Sequence, residues 1–269
     1  MANPMFNEAA LEQAAAGWAA PESGTHVQTK PVTDGPISSW NGAMTVNGTI
    51  TAATVLFIIF LIAASFGWSS AEGPATVDGE PSYQFPMLGM VGIIIGFIAV
   101  LVAHRKPRLA KWLGPVYSIG YGFAVGAISR MYETLYDGIV LQAVGATISI
   151  FFVMLVLYRT RIIKVTDRFR RTIIAATMGI MLLYGVAFLM SLFGASISFI
   201  NSPSLLGIGF SVLVCGIAAF NLALDFDLIE RGTKMGLAKD YEWVAALGLL
   251  VTLVWLYLEM LRLLSKLRS

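Results

Sequence analysis

Seven apolar runs, each near the length that crosses a bilayer, constrain this chain more than any motif in it. They fall at roughly 49–68, 87–103, 112–129, 139–158, 173–193, 205–224 and 244–264. A bilayer-spanning helix takes about 17–25 residues. Lipid satisfies no open backbone groups, so such runs fold as helices; a barrel would show alternating polarity in pieces of about ten residues. The expected fold class is all-α, a polytopic membrane helical bundle of about seven transmembrane helices over residues 44–269. Composition agrees: 57% of residues are apolar, 13% are charged and the mean hydropathy is +0.75, outside what a soluble domain needs for one core.

Residues 1–43 are rich in Ala, Gly, Pro, Ser and Thr and contain no long apolar run. They lack the basic start and apolar centre of a signal peptide, and are expected to form a disordered cytoplasmic tail. A short helix over 5–14 is the alternative, with Trp18 or Trp40 touching the membrane interface.

The loops set the orientation. His104, Arg105, Lys106, Arg108 and Lys111 make one basic loop; Arg159, Arg161, Lys164, Arg168, Arg170 and Arg171 make another. The loop carrying Glu72, Asp78 and Glu80 has no Lys or Arg, and 194–204 has no charge. Positive-inside counting places the amino terminus and the basic loops in the cytoplasm, together with 231–242. An odd number of spans then puts the carboxyl end outside. That end carries Arg262, Lys266 and Arg268, against the rule, and a last helix that turned back would remove the conflict.

Two pairs of glycines four apart, Gly92 with Gly96 and Gly122 with Gly126, allow close approach of helix backbones, within the chain or at a dimer contact. The single Cys215 excludes an intrachain disulfide and reads as a small packing residue. A net charge of +2 gives no reason to expect nucleic-acid binding. The chain has no His-Glu-x-x-His zinc motif, no Gly-x-Ser-x-Gly elbow and no Gly-x-x-x-x-Gly-Lys loop, so no catalytic residue and no bound cofactor are expected, and the chain is read as no enzyme.

What stands out is acid inside the last two runs, Asp225 and Glu259. An ionisable group in a spanning helix costs about 2.5–3.5 kcal/mol and normally finds a partner or a water-filled cavity. Two carboxyl groups brought together share a proton and titrate in coupled steps. The competing reading pairs Glu259 with Arg262, three residues on, and makes Asp225 an interfacial cap. Asp227 lies roughly 200° round a helix from Asp225, so Asp227, Glu230 and Asp240 read as a solvated loop face. Depth also separates the acids: Glu259 follows Val244 by fifteen positions, about 22 Å of helix, while Asp225 lies at the inner end of its run.

The motif Leu224-Asp225-Phe226-Asp227-Leu228-Ile229, a short polar loop, then Trp255-Leu256-Tyr257-Leu258-Glu259-Met260-Leu261-Arg262 resembles the transmembrane Bax inhibitor motif family in its bacterial branch, from about Met44 onward. Met44-Thr45-Val46-Asn47-Gly48-Thr49-Ile50 and Gly126-Ala127-Ile128-Ser129 fit the same pattern. The resemblance implies a calcium leak of the bacterial inner membrane in which acids of the sixth and seventh spans form a hydrogen-bonded, pH-sensing gate. Asp225 matches the first acid, and Glu259 stands where the family usually has Asp. Ca²⁺ is then the transported ion, with Asp225 and Glu259 as its candidate ligands and Arg262, His104 and Arg105 as candidate charge partners. The family's third-helix Glu is missing near Tyr121. The alternative function is a non-conducting adaptor that binds other membrane proteins and regulates their turnover.

Overall fold

The computed structural model describes residues 42–71, 75–77, 80–82, 85–193 and 202–269, all within the compact unit Ser38–Ser269. The expected tail, its short helix and its two tryptophans lie outside the described residues.

All seven runs are helices: α1 Val46–Ser70, α2 Met87–Arg105, α3 Ala110–Leu135, α4 Ile139–Arg159, α5 Asp167–Leu192, α6 Leu205–Lys234 and α7 Asp240–Arg268. Between α1 and α2, strands β1 Ala75–Val77 and β2 Glu80–Ser82 form an antiparallel ribbon, with Ala75 opposite Ser82. Six of the helices are long and apolar enough to cross a membrane by length and composition. The remaining one, α3, is as long but has no stretch of membrane length that is as apolar, and it is packed between α1, α2 and α7.

The sequence places small residues where these helices meet. A Cβ at Gly126 would overlap the Ala64 carbonyl of α1, and one at Gly92 would overlap the Gly120 carbonyl of α2's neighbour α3. The glycine pairs thus serve packing inside the chain.

The central element is α7, which buries residues on two sides. Leu247, Leu250 and Val254 join Leu56, Phe60 and Tyr117 in one core. Leu256, Met260 and Leu261 join Ile139, Cys215 and Leu222 in the other. By contrast, among its described large apolar side chains α5 buries only Ile173 and Ile180, and Met178, Leu182 and Phe188 are exposed.

The largest difference from the sequence expectation is at one helix end. The sixth helix runs ten residues past 224 because its polar end is helix-compatible: Arg231 pairs with Asp227 and Lys234 with Glu230 at one-turn spacing. Asp225 is therefore an interior helix residue and caps nothing. The last helix is one continuous rod and does not turn back. Its three cations each have a partner in the chain: Glu259 for Arg262, the Gly207 carbonyl for Lys266, and the Asp137 carbonyl for the exposed Arg268.

Candidate functional site

Polar residues recur on α7 at Gly248, Thr252, Trp255, Glu259, Arg262 and Lys266, a spacing of four and three that keeps them on one helical face. On α6 the matching residues are Ser211, Cys215, Asn221 and Asp225. The two helices are antiparallel and joined by a short turn at 235–239, so residues equally far from the turn face each other. The result is a polar seam between α6 and α7, flanked by α5.

Asp225 lies at the inner part of this seam. Its Oδ1 faces Gly248, where a side chain would sit 3.7 Å away, and Thr252 is its other neighbour. Thr252 donates its hydroxyl to the Gly248 carbonyl. The Oδ2 atom of Asp225 is inaccessible and has no hydrogen-bond partner among the described residues. Such an oxygen is costly to bury unless a proton or a cation neutralises it.

Glu259 is only 2% exposed. Arg262 Nη1 donates to its Oε1 at 2.9 Å, and Tyr184 of α5 donates its hydroxyl to Oε2 at 3.2 Å. Arg262 also donates to the Tyr184 hydroxyl at 2.6 Å, and its guanidinium lies 4.8 Å from that ring's centre. The pairing of Glu259 with Arg262 expected as the competing reading is present.

The structure does not bring Asp225 and Glu259 together. Asp225 faces Thr252, and Glu259 is seven residues further on, about 10 Å along α7. Antiparallel pairing across the turn decides this: Glu259 lies opposite the outer half of α6, near Cys215. Nor are the two basic candidates at hand. His104 and Arg105 are exposed at the end of α2 and make no hydrogen bond or ion pair with Asp225. Tyr121, near the missing third-helix Glu, stacks on Tyr117 with ring centres 5.0 Å apart.

Asp227 corrects the expectation of a solvated face, while Glu230 keeps a side chain 40% exposed and paired with Lys234. Asp227 is buried between Arg170, at 2.8 Å, and Arg231. Glu230 accepts from the Tyr158 hydroxyl at 2.6 Å. Asp240 opens the first turn of α7, where a negative charge favours the helix N-terminus.

Several participants went unrecognised in the sequence. Glu242, 3% exposed, accepts from both the backbone N–H and the hydroxyl of Thr45 at 2.9 Å. A cue existed, since Thr45 is a good N-cap residue and caps α1 through Gly48. Lys266, 5% exposed, donates to the Gly207 carbonyl at 2.9 Å and to Ser211 Oγ at 2.8 Å. On α5, Arg170, Thr177 and Tyr184 repeat every seven residues. Each clasps α6 or α7: Arg170 on Asp227, Thr177 on the Asn221 amide at 2.8 Å, and Tyr184 on Glu259 and Arg262. The heptad spacing was visible beforehand, but nothing in it named the partners.

Among the described residues no group of three or more His, Cys, Asp or Glu converges to hold a metal. The seam thus holds separate stations: Asp225, with Thr252 beside it and one oxygen lacking a partner among the described residues, an acid–arginine pair at Glu259, and a buried amine at Lys266; Asp227 and its two arginines lie on another face of α6.

Comparison with curated proteins finds no match. The family model described as Bax inhibitor 1 like matches residues 3–269, further toward the amino terminus than the motifs that suggested it. With the seven-helix order and the acid-bearing last two helices in place, the chain belongs to the Bax inhibitor 1 like family and is a multi-pass membrane protein.

Proposed function

We propose that the protein is a pH-sensitive cation leak, with Ca²⁺ as its physiological ion, and that the seam between α6 and α7 is its pathway. The observation that carries the reading is Asp225, whose buried Oδ2 lacks a partner among the described residues, where the buried acids Asp227, Glu242 and Glu259 are all bonded. It is neutralised by a proton or by a passing cation. Asp225 and Glu259 act as two stations at different depths and not as one shared-proton pair. Glu259 already has a cation in Arg262, so control by pH falls to Asp225.

The wall that opens is α5. It buries little and is fastened to α6 and α7 by the three clasps of Arg170, Thr177 and Tyr184. Releasing it exposes both acids to water. The pathway lies in the bacterial inner membrane with the amino terminus in the cytoplasm, the orientation that the basic loops favour. No step in this reading makes or breaks a covalent bond, so the protein acts as a conduit and not as an enzyme.

Ca²⁺ uptake into proteoliposomes tests the reading. The parent protein conducts more at pH 8 than at pH 6, because losing a proton gives Asp225 the charge that draws a cation. Asp225→Asn conducts with little pH dependence. A folded parent that passes no Ca²⁺ at either pH leaves the adaptor reading in its place.

A further inference from the structure

A second feature lies on the opposite side of α7 from the seam. A cleft of about 840 Å³ opens between α1 and α4 and is floored by α3 and α7. Phe57 and Leu61 wall it on α1, Val144 and Ile148 on α4, and Leu253 floors it on α7. On α1 it extends from Thr49 to Trp68, nineteen residues or about 28 Å of helix. The hydrocarbon core of a bilayer is about 30 Å thick, so the cleft runs nearly the whole apolar depth.

Its few hydroxyl groups are already spent. Thr54 donates to the Ile50 carbonyl, Thr147 to that of Ala143, and Ser129 bonds the Val125 carbonyl and the Tyr257 hydroxyl. The walls therefore offer hydrocarbon and little else. A lateral cleft of this kind, within the spans of a membrane protein, is in contact with lipid chains rather than water.

One end carries charge. Trp68 and Ser129 line the cleft there, and the guanidinium of Arg130 lies over the Trp68 ring at 5.4 Å. Arg130 has no carboxylate partner among the described residues. Arginine presents a planar fork of donors that matches a phosphate. Apolar length and an unpaired arginine at its end are complementary to one molecule.

We propose that this cleft is a lipid site, holding an acyl chain of an anionic phospholipid whose phosphate is bound by Arg130. The site is independent of the cation seam.

Native mass spectrometry of the full chain, released from detergent after exposure to equal phosphatidylglycerol and phosphatidylcholine, tests it. The parent retains a phospholipid and favours phosphatidylglycerol. Val144→Trp, which grows an exposed wall residue into the cleft, loses most of it; Ile148→Trp does the same one turn along and serves if the first variant does not fold. Arg130→Gln still retains lipid but loses preference for the anionic headgroup by about fivefold, the equivalent of ~1 kcal/mol, the upper end for a solvent-accessible ion pair. The proposal fails if the tryptophan variants keep the parent's bound lipid, if Arg130→Gln keeps its headgroup preference, or if the parent carries a second copy of the chain and no lipid.

Discussion

Asp225 and Glu259 line one seam without touching: Asp225 faces Gly248 and Thr252, and Glu259 sits two turns further along α7, held by Arg262 and Tyr184. Sites more than about 7–10 Å apart with no shared partner contribute independently to stability, within about 0.3–0.5 kcal/mol. The unfolding free energies of Asp225→Asn, Glu259→Gln and the double variant should therefore add. A coupling above ~1 kcal/mol in that cycle would restore the direct acid pair.

Tyr184 joins α5 to both members of the Glu259–Arg262 pair through its hydroxyl. Tyr184→Phe keeps the ring over the guanidinium but removes these bonds, each worth about 0.5–1.5 kcal/mol net, more beside a charge. Amide hydrogen exchange in α5 should quicken while α7 remains as protected as in the parent. Equal changes in both helices would mean that α5 is not a separable wall.

Lys266 reaches across to the first turns of α6, where its amine meets the Gly207 carbonyl and Ser211 Oγ. Lys266→Met fills similar space but strands the serine hydroxyl, which is fully buried. A stranded buried polar group costs about 1–3 kcal/mol, so thermal stability in detergent should fall by that amount. Adding Ser211→Ala should recover part of it; no recovery would indicate that the loss comes from packing alone.

Glycines offer a paired control. Gly126→Ala drives a methyl group into the Ala64 carbonyl of α1 and should lower stability by several kcal/mol or prevent folding, since backbone is slow to yield. Gly145→Ala meets nothing within 4 Å and should be neutral or stabilising by up to about 1 kcal/mol, the helix preference of alanine over glycine. Scanning calorimetry of the two purified variants makes the comparison.

The hydropathy of the chain determined the number and order of the helices, because a long apolar segment has only the helix as a way to satisfy its backbone within lipid. Local spacing allowed Glu259 and Arg262 to meet, since three residues is less than one turn, but left that pairing open against one between Glu259 and Asp225. It also made Gly92, Gly96, Gly122 and Gly126 packing sites, although only the fold named Gly120 and Ala64 as what they approach. Helix ends were less legible: apolar runs stop at the first charges, whereas α6 continues through Asp227, Glu230, Arg231 and Lys234 because one-turn ion pairs support it. Tertiary structure alone decided which side chain answers each charge. The turn at 235–239 fixes the register of α6 against α7, and that register separates Asp225 from Glu259 and delivers Lys266 to Ser211. Arg170 reaches Asp227 across fifty-seven positions and Thr45 reaches Glu242 across one hundred and ninety-seven. No periodicity within a single run encodes such a partner, because it depends on where a different helix has been placed by packing.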